Sequence, residues 1–275
     1  MLASRLPGIL PLLTTEEALE TASVVSVSRQ GFELDRFWRR PFRSPHHTAS
    51  GVALIGGGST PKPGEISLAH NGVLFLDELP EFSRHVLDVL REPLETGSIS
   101  ISRAAQQADY PARFQLVAAM NPCPCGHFGD DGRECRCSPA QIERYQGRVS
   151  GPFLDRIDLT VTVPRLDLSV LRDQALVSED SATIRHRVIC CRELQLKRSG
   201  KCNALLSGEE LDLHCYLDKE TSQFLEQAMQ RLQLSMRAYS RVLKTARTIA
   251  DLAGEISIQK VHLLEGLAFR EQSPI

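Results

Sequence analysis

The feature that most constrains this chain is a short apolar run that ends in acid. Val73-Leu74-Phe75-Leu76 is continuous rather than alternating, and Asp77-Glu78 follows directly. A strand with water on one face alternates apolar and polar residues. An unbroken run therefore reads as a strand covered on both faces, as in a parallel sheet flanked by helices. Open sheets of this kind take ligands outside the C-terminal ends of their strands, which is where the Asp77 and Glu78 carboxylates fall. One carboxylate suits a Mg²⁺ ion held through water, because Mg²⁺ takes hard oxygen ligands and keeps part of its hydration shell. The other is placed to orient a water for attack on a phosphoryl group. On the run alone, two carboxylates solvated at a strand end are an equally good reading.

The rest of the chain fits around that strand. Residues 114–120 (FQLVAAM) read as a second buried strand closing on Asn121-Pro122. Residues 98–102 alternate with period two, and 110–114 pair back with them as a hairpin. Residues 158–163 (DLTVTV) alternate again and predict a third strand of the core. Met1 to Leu6 reads as a short helical piece stopped by Pro7 and Gly8. Thr14 or Thr15 caps a helix whose first turn carries Glu16 and Glu17, and another helix is expected from Ser83 to Leu90, before Pro93. From about Ser181 the pattern turns helical. Ile184, Val188, Cys191 and Leu194 share a face, as do Leu225, Ala228, Met229 and Leu232, and again Val242, Leu243, Ala246, Ile249 and Ala250. Ser257 is the expected cap of a last helix carrying Val261, Leu264 and Ala268. These patterns predict an α/β core over residues 1–166 and a helical subdomain over 167–275, and 275 residues are enough for two such parts.

Charge and cysteine usage narrow the partners. The net charge is -2, so no global basic field draws the chain onto nucleic acid, and contact with DNA must come from local patches or from a ring that concentrates them. No stretch approaches the ~18 apolar residues that cross a bilayer. Pro7, Gly8 and Pro11 break the opening apolar run, and no small-residue cleavage site follows it, so a secretory signal is not expected. A cytoplasmic protein follows, with its eight cysteines as reduced thiols or metal ligands. Cys123-Pro124-Cys125 and Cys135-Arg136-Cys137 form two C-x-C pairs, and four thiolates at that spacing suit a tetrahedral Zn²⁺. Gly126, Gly129 and Gly132 let the loop between them fold tightly. Reduced loop thiols are the alternative, since C-x-C is less diagnostic than C-x-x-C. Cys190, Cys191, Cys202 and Cys215 have no such pattern.

The segment GEISLAHNGVLFLDELPEF, Gly64 to Phe82, resembles the Walker B region of the magnesium-chelatase and MCM branch of AAA+ ATPases. RPFRSPHHTAS and GGGSTPKPGE upstream, with AAMNPCPCG and GPFLDRIDL downstream, resemble the ComM (YifB) family of DNA branch-migration helicases, in order and over nearly the whole chain. The resemblance implies an AAA+ P-loop NTPase core, a three-layer and mostly parallel sheet, with a C-terminal helical lid. It implies ATP and Mg²⁺ as cofactors, Asp77 on the metal and Glu78 on the attacking water. Asn121 then looks like sensor 1, against the simpler reading of an Asn-Pro turn. Arg156 looks like the arginine finger offered to a neighbouring subunit, against a surface ion pair with Asp155 or Asp158. Arg237 looks like sensor 2, with Arg241 one helical turn on as second choice. The hairpin over 97–114 looks like the one that lines the ring channel in this branch. Arg103 is its expected phosphate contact and Lys62, in the Gly/Pro loop over 56–64, another, against solvated charges at turns. The basic stretch Arg36 to His47 serves either DNA or a subunit interface.

The implied function is an ATP-driven DNA motor of the branch-migration type, working on single-stranded or branched DNA as a homo-oligomer, a hexameric ring. A magnesium-chelatase motor subunit shares most of these motifs, although the cysteine pairs and the PFRSPHH stretch favour the ComM side. One departure stands out: no G-x-x-x-x-G-K-[ST] loop occurs in the sequence. In the family that loop immediately precedes a stretch like Met1 to Leu6. The expectation is therefore a truncated form that binds nucleotide poorly, and a folded remnant without ATPase activity is the third reading.

Overall fold

The Val73–Leu76 strand lies at the middle of a three-stranded parallel sheet, between Phe42–Arg43 and Gln115–Ala118. In the computed structural model the described residues are all but 1, 29–30, 59, 104–105, 131, 165–178 and 272–275. Val73, Leu74 and Leu76 are buried, as a strand covered on both faces requires. Its register sets Leu76 beside Ala118, so both strands run out at the same edge. Leu54, Ile66, Val86, Leu87, Leu90, Ile99 and Phe153 complete this core, and each fully buried side chain of that size contributes roughly 1.5–3 kcal/mol.

Helix boundaries follow capping chemistry. Thr14 caps the Thr15–Ser26 helix, its hydroxyl accepting from the Glu17 N–H while the Glu17 carboxylate accepts from the Thr14 N–H. Ser83 caps Arg84–Val89. That helix ends at its C-cap Leu90, before Pro93 as expected, and Pro93 then falls in the first turn of a further helix, Arg91–Thr96, where its missing N–H costs nothing. A hairpin forms, Ser98–Arg103 against Gln106–Pro111, with its return strand earlier than the expected 110–114 and sharing only Tyr110 and Pro111 with it. The Tyr110 hydroxyl donates to the Pro61 carbonyl at 2.8 Å and ties it to the small Gly56–Gly57/Lys62–Pro63 ribbon.

The chain divides into two compact units, Met1–Arg156 and Ile157–Ser273. The expected boundary at 166/167 lies outside the described residues. The expected strand over 158–163 does not form, and Leu159, Val161 and Val163 stand exposed. The Thr160 N–H instead donates to the Phe269 carbonyl within the second unit. Period-two alternation alone does not make a strand, because the backbone groups can find other partners.

The second unit is helical: Ser181–Ser199, Glu209–His214, Lys219–Arg231, Met236–Leu252 and Lys260–Glu271. Its core gathers Leu206, Leu225, Val242, Leu243, Ala246, Leu263 and Leu267. Asp251 is wholly buried there, with its carboxylate bridging Arg198, at 2.6 and 2.7 Å, and Arg247 Nε at 3.0 Å. Ser257 does not cap the last helix. That helix starts at Lys260, and His262 Nδ1 accepts the Gln259 N–H at 3.1 Å in place of a hydroxyl cap. No helix among the described residues is long and apolar enough to cross a membrane.

Candidate active site and thiol cluster

Asp77 and Glu78 leave the sheet at its C-terminal edge, both exposed to solvent. Glu78 sits in the left-handed region, φ 53 and ψ 48, which costs a non-glycine residue roughly 1–2 kcal/mol. Three contacts fix this turn. The Glu78 N–H donates to Asp77 Oδ1 at 3.0 Å, the Leu79 N–H to the Ala119 carbonyl at 2.9 Å, and the Glu81 N–H to the Glu78 carbonyl at 2.8 Å. Glu78 Oε2 then lies 2.9 Å from Nδ1 of His47. The His47 ring packs against His46 at 4.1 Å and edge-on to Phe82. Strain at the tip of a buried strand, with both carboxylates turned to water, suits a group that must be aimed rather than merely solvated. Two hard oxygen donors are the right chemistry for a hydrated Mg²⁺.

Asn121 follows the neighbouring strand. The Ala119 N–H donates to the Leu76 carbonyl at 2.9 Å, so Asn121 emerges beside Asp77 at the same sheet edge, exposed. Arg156 has a different environment from the one its motif implies. Its side chain is 7% exposed, Nη2 meets Glu95 Oε1, and Nη1 meets the Pro152 carbonyl, all within one subunit. The ion-pair partner is thus Glu95 rather than Asp155 or Asp158. Arg237 and Arg241 lie in the second unit on the Met236–Leu252 helix. Arg237 is exposed, and Arg241 pairs with Asp158 at 2.9 Å.

Lys62 is half-buried in the ribbon beside the hairpin. Arg103 ends the first hairpin strand, paired in register with Gln106, and its side chain lies outside the described residues. Two arginines of the basic stretch are used internally. Arg43 forks onto Glu65 at 2.6 and 2.7 Å. Arg40 bonds Glu17 at 2.7 Å, the Pro11 carbonyl at 2.9 Å and the Asn71 carbonyl at 2.8 Å.

The four thiols of Cys123, Cys125, Cys135 and Cys137 converge, with all their sulfurs within 4.8 Å of one another. Measured separations are 3.4 Å for Cys123–Cys125, 3.7 Å for Cys123–Cys135 and 3.6 Å for Cys125–Cys135. Four sulfurs at ~2.3 Å from one Zn²⁺ in a tetrahedron stand about 3.8 Å apart, whereas a disulfide holds its sulfurs at ~2.05 Å. Gly126 and Gly129, at φ 80 and φ 78, turn the loop back as the glycine pattern requires. The His127 and Arg136 main chains stabilise the Cys125 thiolate and bring it down to about 6. At Cys135 a Cys137 main-chain hydrogen bond pulls down, but burial and the Cys125 and Cys123 sulfurs win and push the thiol up to about 12. Crowded thiols cannot all ionise unaided, and a bound cation reverses that.

Sequence reasoning singled out Asp77, Glu78, Asn121 and the four thiols; the structure sets the first three at one sheet edge and brings the thiols together. Sequence reasoning missed His47 as the partner of Glu78 and Glu95 as the partner of Arg156. Both contacts are tertiary, 31 and 61 residues apart, and no local spacing announces them.

The profile of the family described as magnesium chelatase, subunit ChlI, matches residues 1–171, and that of the ChlI C-terminal part matches residues 178–270. Competence protein ComM of Haemophilus influenzae is 55% identical over 270 residues, covering 98% of this chain and 53% of that protein. Protein YifB of Escherichia coli is 51% identical over 270 residues, with the same coverage of 98% and 53%. The chloroplastic magnesium-chelatase subunit ChlI of Chlamydomonas reinhardtii is 26% identical over 138 residues, covering 48% of this chain and 28% of that protein. The chain spans about half the length of the ComM and YifB relatives it matches.

Proposed function

We propose, from the premise that this chain belongs to the ComM/YifB branch of the magnesium chelatase family, that it is the motor part of a cytoplasmic, ring-forming ATPase that moves single-stranded or branched DNA. The observation that carries the reading is the strained Asp77-Glu78 turn at the end of a buried parallel strand, with Asn121 at the same edge. Asp77 would hold Mg²⁺ through water and Glu78 would orient the attacking water. Asn121 would contact the γ-phosphate side of that water. Arg156 would act on a neighbouring subunit's nucleotide and Arg237, before Arg241, on its own. The hairpin, with Arg103 at its tip and Lys62 at its base, would face the DNA, each subunit of a hexamer adding to one basic collar. The four-cysteine cluster would hold a structural Zn²⁺.

The chelatase-motor reading is supported less well, because that relative is 26% identical over 48% of the chain and the cysteine pairs favour the ComM side. The test uses a protein carrying this chain behind a G-x-x-x-x-G-K-[ST] loop. DNA should stimulate its ATP hydrolysis, and Glu78→Gln should keep nucleotide binding while lowering turnover by about 10²–10⁴-fold, because an amide takes no proton. Mixing Arg156→Ala with Glu78→Gln subunits should restore part of the activity, since an intact Glu78 can then meet an intact neighbouring Arg156. Equal turnover of parent and Glu78→Gln proteins refutes the assignment.

A further inference from the structure

The thiol loop begins and ends on the same piece of structure. Cys123 follows the Asn121-Pro122 turn directly and is buried. Cys137 is separated by one residue, the cap Ser138, from the Pro139–Gln146 helix. The Ser138 hydroxyl accepts the Gln141 N–H at 3.3 Å, and Gln141 Oε1 accepts the Ser138 N–H at 2.8 Å, so the helix start is fixed to the last thiol. The other end of that helix returns to the turn. Gln146 Nε2 donates to the Pro122 carbonyl at 3.0 Å. Tyr145 is buried beside it, with its hydroxyl toward the Asn121 main chain. Just beyond, Arg148 Nη1 reaches Glu81 Oε2 at 2.8 Å, in the segment that follows Glu78. A closed circuit results: turn, thiol loop, helix, turn.

We propose that Gln146 and Tyr145 are positioning residues for Asn121, and that a metal ion on the four thiolates tightens their grip by closing the loop between them. A loop of this length is free to sample many spacings between its ends, and a metal clip removes that freedom. The helix is then delivered to the Asn121-Pro122 turn at one distance. The importance of Asn121 rests on the motor reading above, whereas the coupling of metal to turn does not.

The test follows the Asn121 main-chain and side-chain amide signals by NMR in the 275-residue chain, first stripped of metal and then titrated with Zn²⁺. One equivalent should shift and sharpen the Asn121 signals. It should also slow exchange of the Asn121 main-chain amide by about fivefold, the weight of one hydrogen bond, while amides of the Val73–Leu76 strand stay unchanged. The double variant Gln146→Ala with Tyr145→Phe leaves all four thiols in place. It should bind the same equivalent of Zn²⁺, with the Asn121 signals no longer responding. Unresponsive Asn121 signals in the parent, an unaltered response in the double variant, or no uptake of Zn²⁺ would each overturn the proposal. None of these signals depends on ATP hydrolysis, so failure of the motor reading is a separate result.

Discussion

Arg156 and Glu95 pair within a single subunit, with the arginine side chain 7% exposed and its Nη1 also on the Pro152 carbonyl. In the proposed finger role Arg156 must leave this contact to reach a neighbour's nucleotide, so that role and the pair compete. In the loop-bearing protein, Arg156→Ala should abolish hydrolysis. Glu95→Gln should raise it, by up to about fivefold, since a partly exposed pair is worth no more than ~1 kcal/mol. Steady-state ATPase rates decide the matter. If both substitutions lower the rate and the melting temperature together, Arg156 is a strut of the fold rather than a finger.

The left-handed backbone of Glu78 gives a second expectation, measurable on the chain alone. Glycine adopts φ 53 without the Cβ clash. It gives back ~0.5–1 kcal/mol in backbone entropy against the ~1–2 kcal/mol released. Glu78→Gly should therefore stabilise the fold by somewhat under ~1 kcal/mol while removing the carboxylate proposed to orient the attacking water. Glu78→Ala keeps the clash and should gain nothing. A lower melting temperature for Glu78→Gly than for Glu78→Ala would mean that the turn is not strained.

The two halves of this story differ in how well the sequence announces them. The Val73–Leu76 strand, its acidic exit and the cysteine pairs are local patterns, and periodicity or spacing suffices to read them. The 158–163 segment alternates as a strand would and is not one, because ladder pairing is a tertiary relation that local alternation does not supply. The helix over Arg84–Val89 ends before Pro93 as its pattern implies, whereas the further helix that holds Pro93 in its first turn is not announced by that pattern. The contacts that give the site its character, His47 to Glu78, Glu95 to Arg156 and Gln146 to the Pro122 carbonyl, join residues 24 to 61 positions apart. Nothing in the intervening sequence encodes the partner choice, which folding alone creates.

His70 supplies a pH dependence. The Arg113 N–H donates to its Nδ1 at 3.1 Å, which leaves Nε2–H to face Glu20 Oε2 at 3.2 Å. Burial holds this histidine below its ordinary 6.5, outweighing Glu20 and Glu17, while Arg113 adds to the depression. As pH falls below 6.5 the unfolded chain takes up a proton that the native one refuses, so stability drops until the native value is passed. The first unit should lose urea resistance between pH 7.5 and 5.5, as followed by Trp38, the chain's one tryptophan. His70→Gln should be less stable at pH 7.5 and show a smaller difference between the two pH values. An unchanged difference would place the titrating group elsewhere.

Asp251 tests the second unit. Its carboxylate is fully buried and bonds Arg198, Arg247 Nε and the Asn203 amide, which donates at 2.8 Å. Asp251→Ala leaves two guanidinium groups facing each other without an anion, and breaking a buried pair in this way costs about 3–5 kcal/mol. Burial raises the Asp251 carboxyl, but the Arg198 and Asn203 bonds overcome it and leave it below 3.8. Its stabilisation is thus complete above pH 3.8 and lost as pH falls through the native value. Circular dichroism of the helices during urea unfolding measures the loss, and a change under ~1 kcal/mol would show that water reaches the pair.

The thiol cluster is tested on the chain as it stands. Sulfurs 3.4 to 3.7 Å apart match the edges of a tetrahedron around zinc, so protein purified without a metal-affinity step should carry about one Zn²⁺ per chain. Ligation needs deprotonated sulfur, and a site that forms only in the folded state lends its binding energy to folding. Chelation should therefore lower the melting temperature, and zinc added back should restore it. Cys135→Ser with Cys137→Ser should lose both the metal and that response. Cys190 is exposed, its sulfur 3.8 Å from His186 Nδ1, and is not one of the four converging thiols, so Cys190→Ser should leave metal content unchanged. Elemental analysis settles the point: less than about a tenth of an equivalent, with all cysteines reduced, would make this a thiol-rich loop and nothing more.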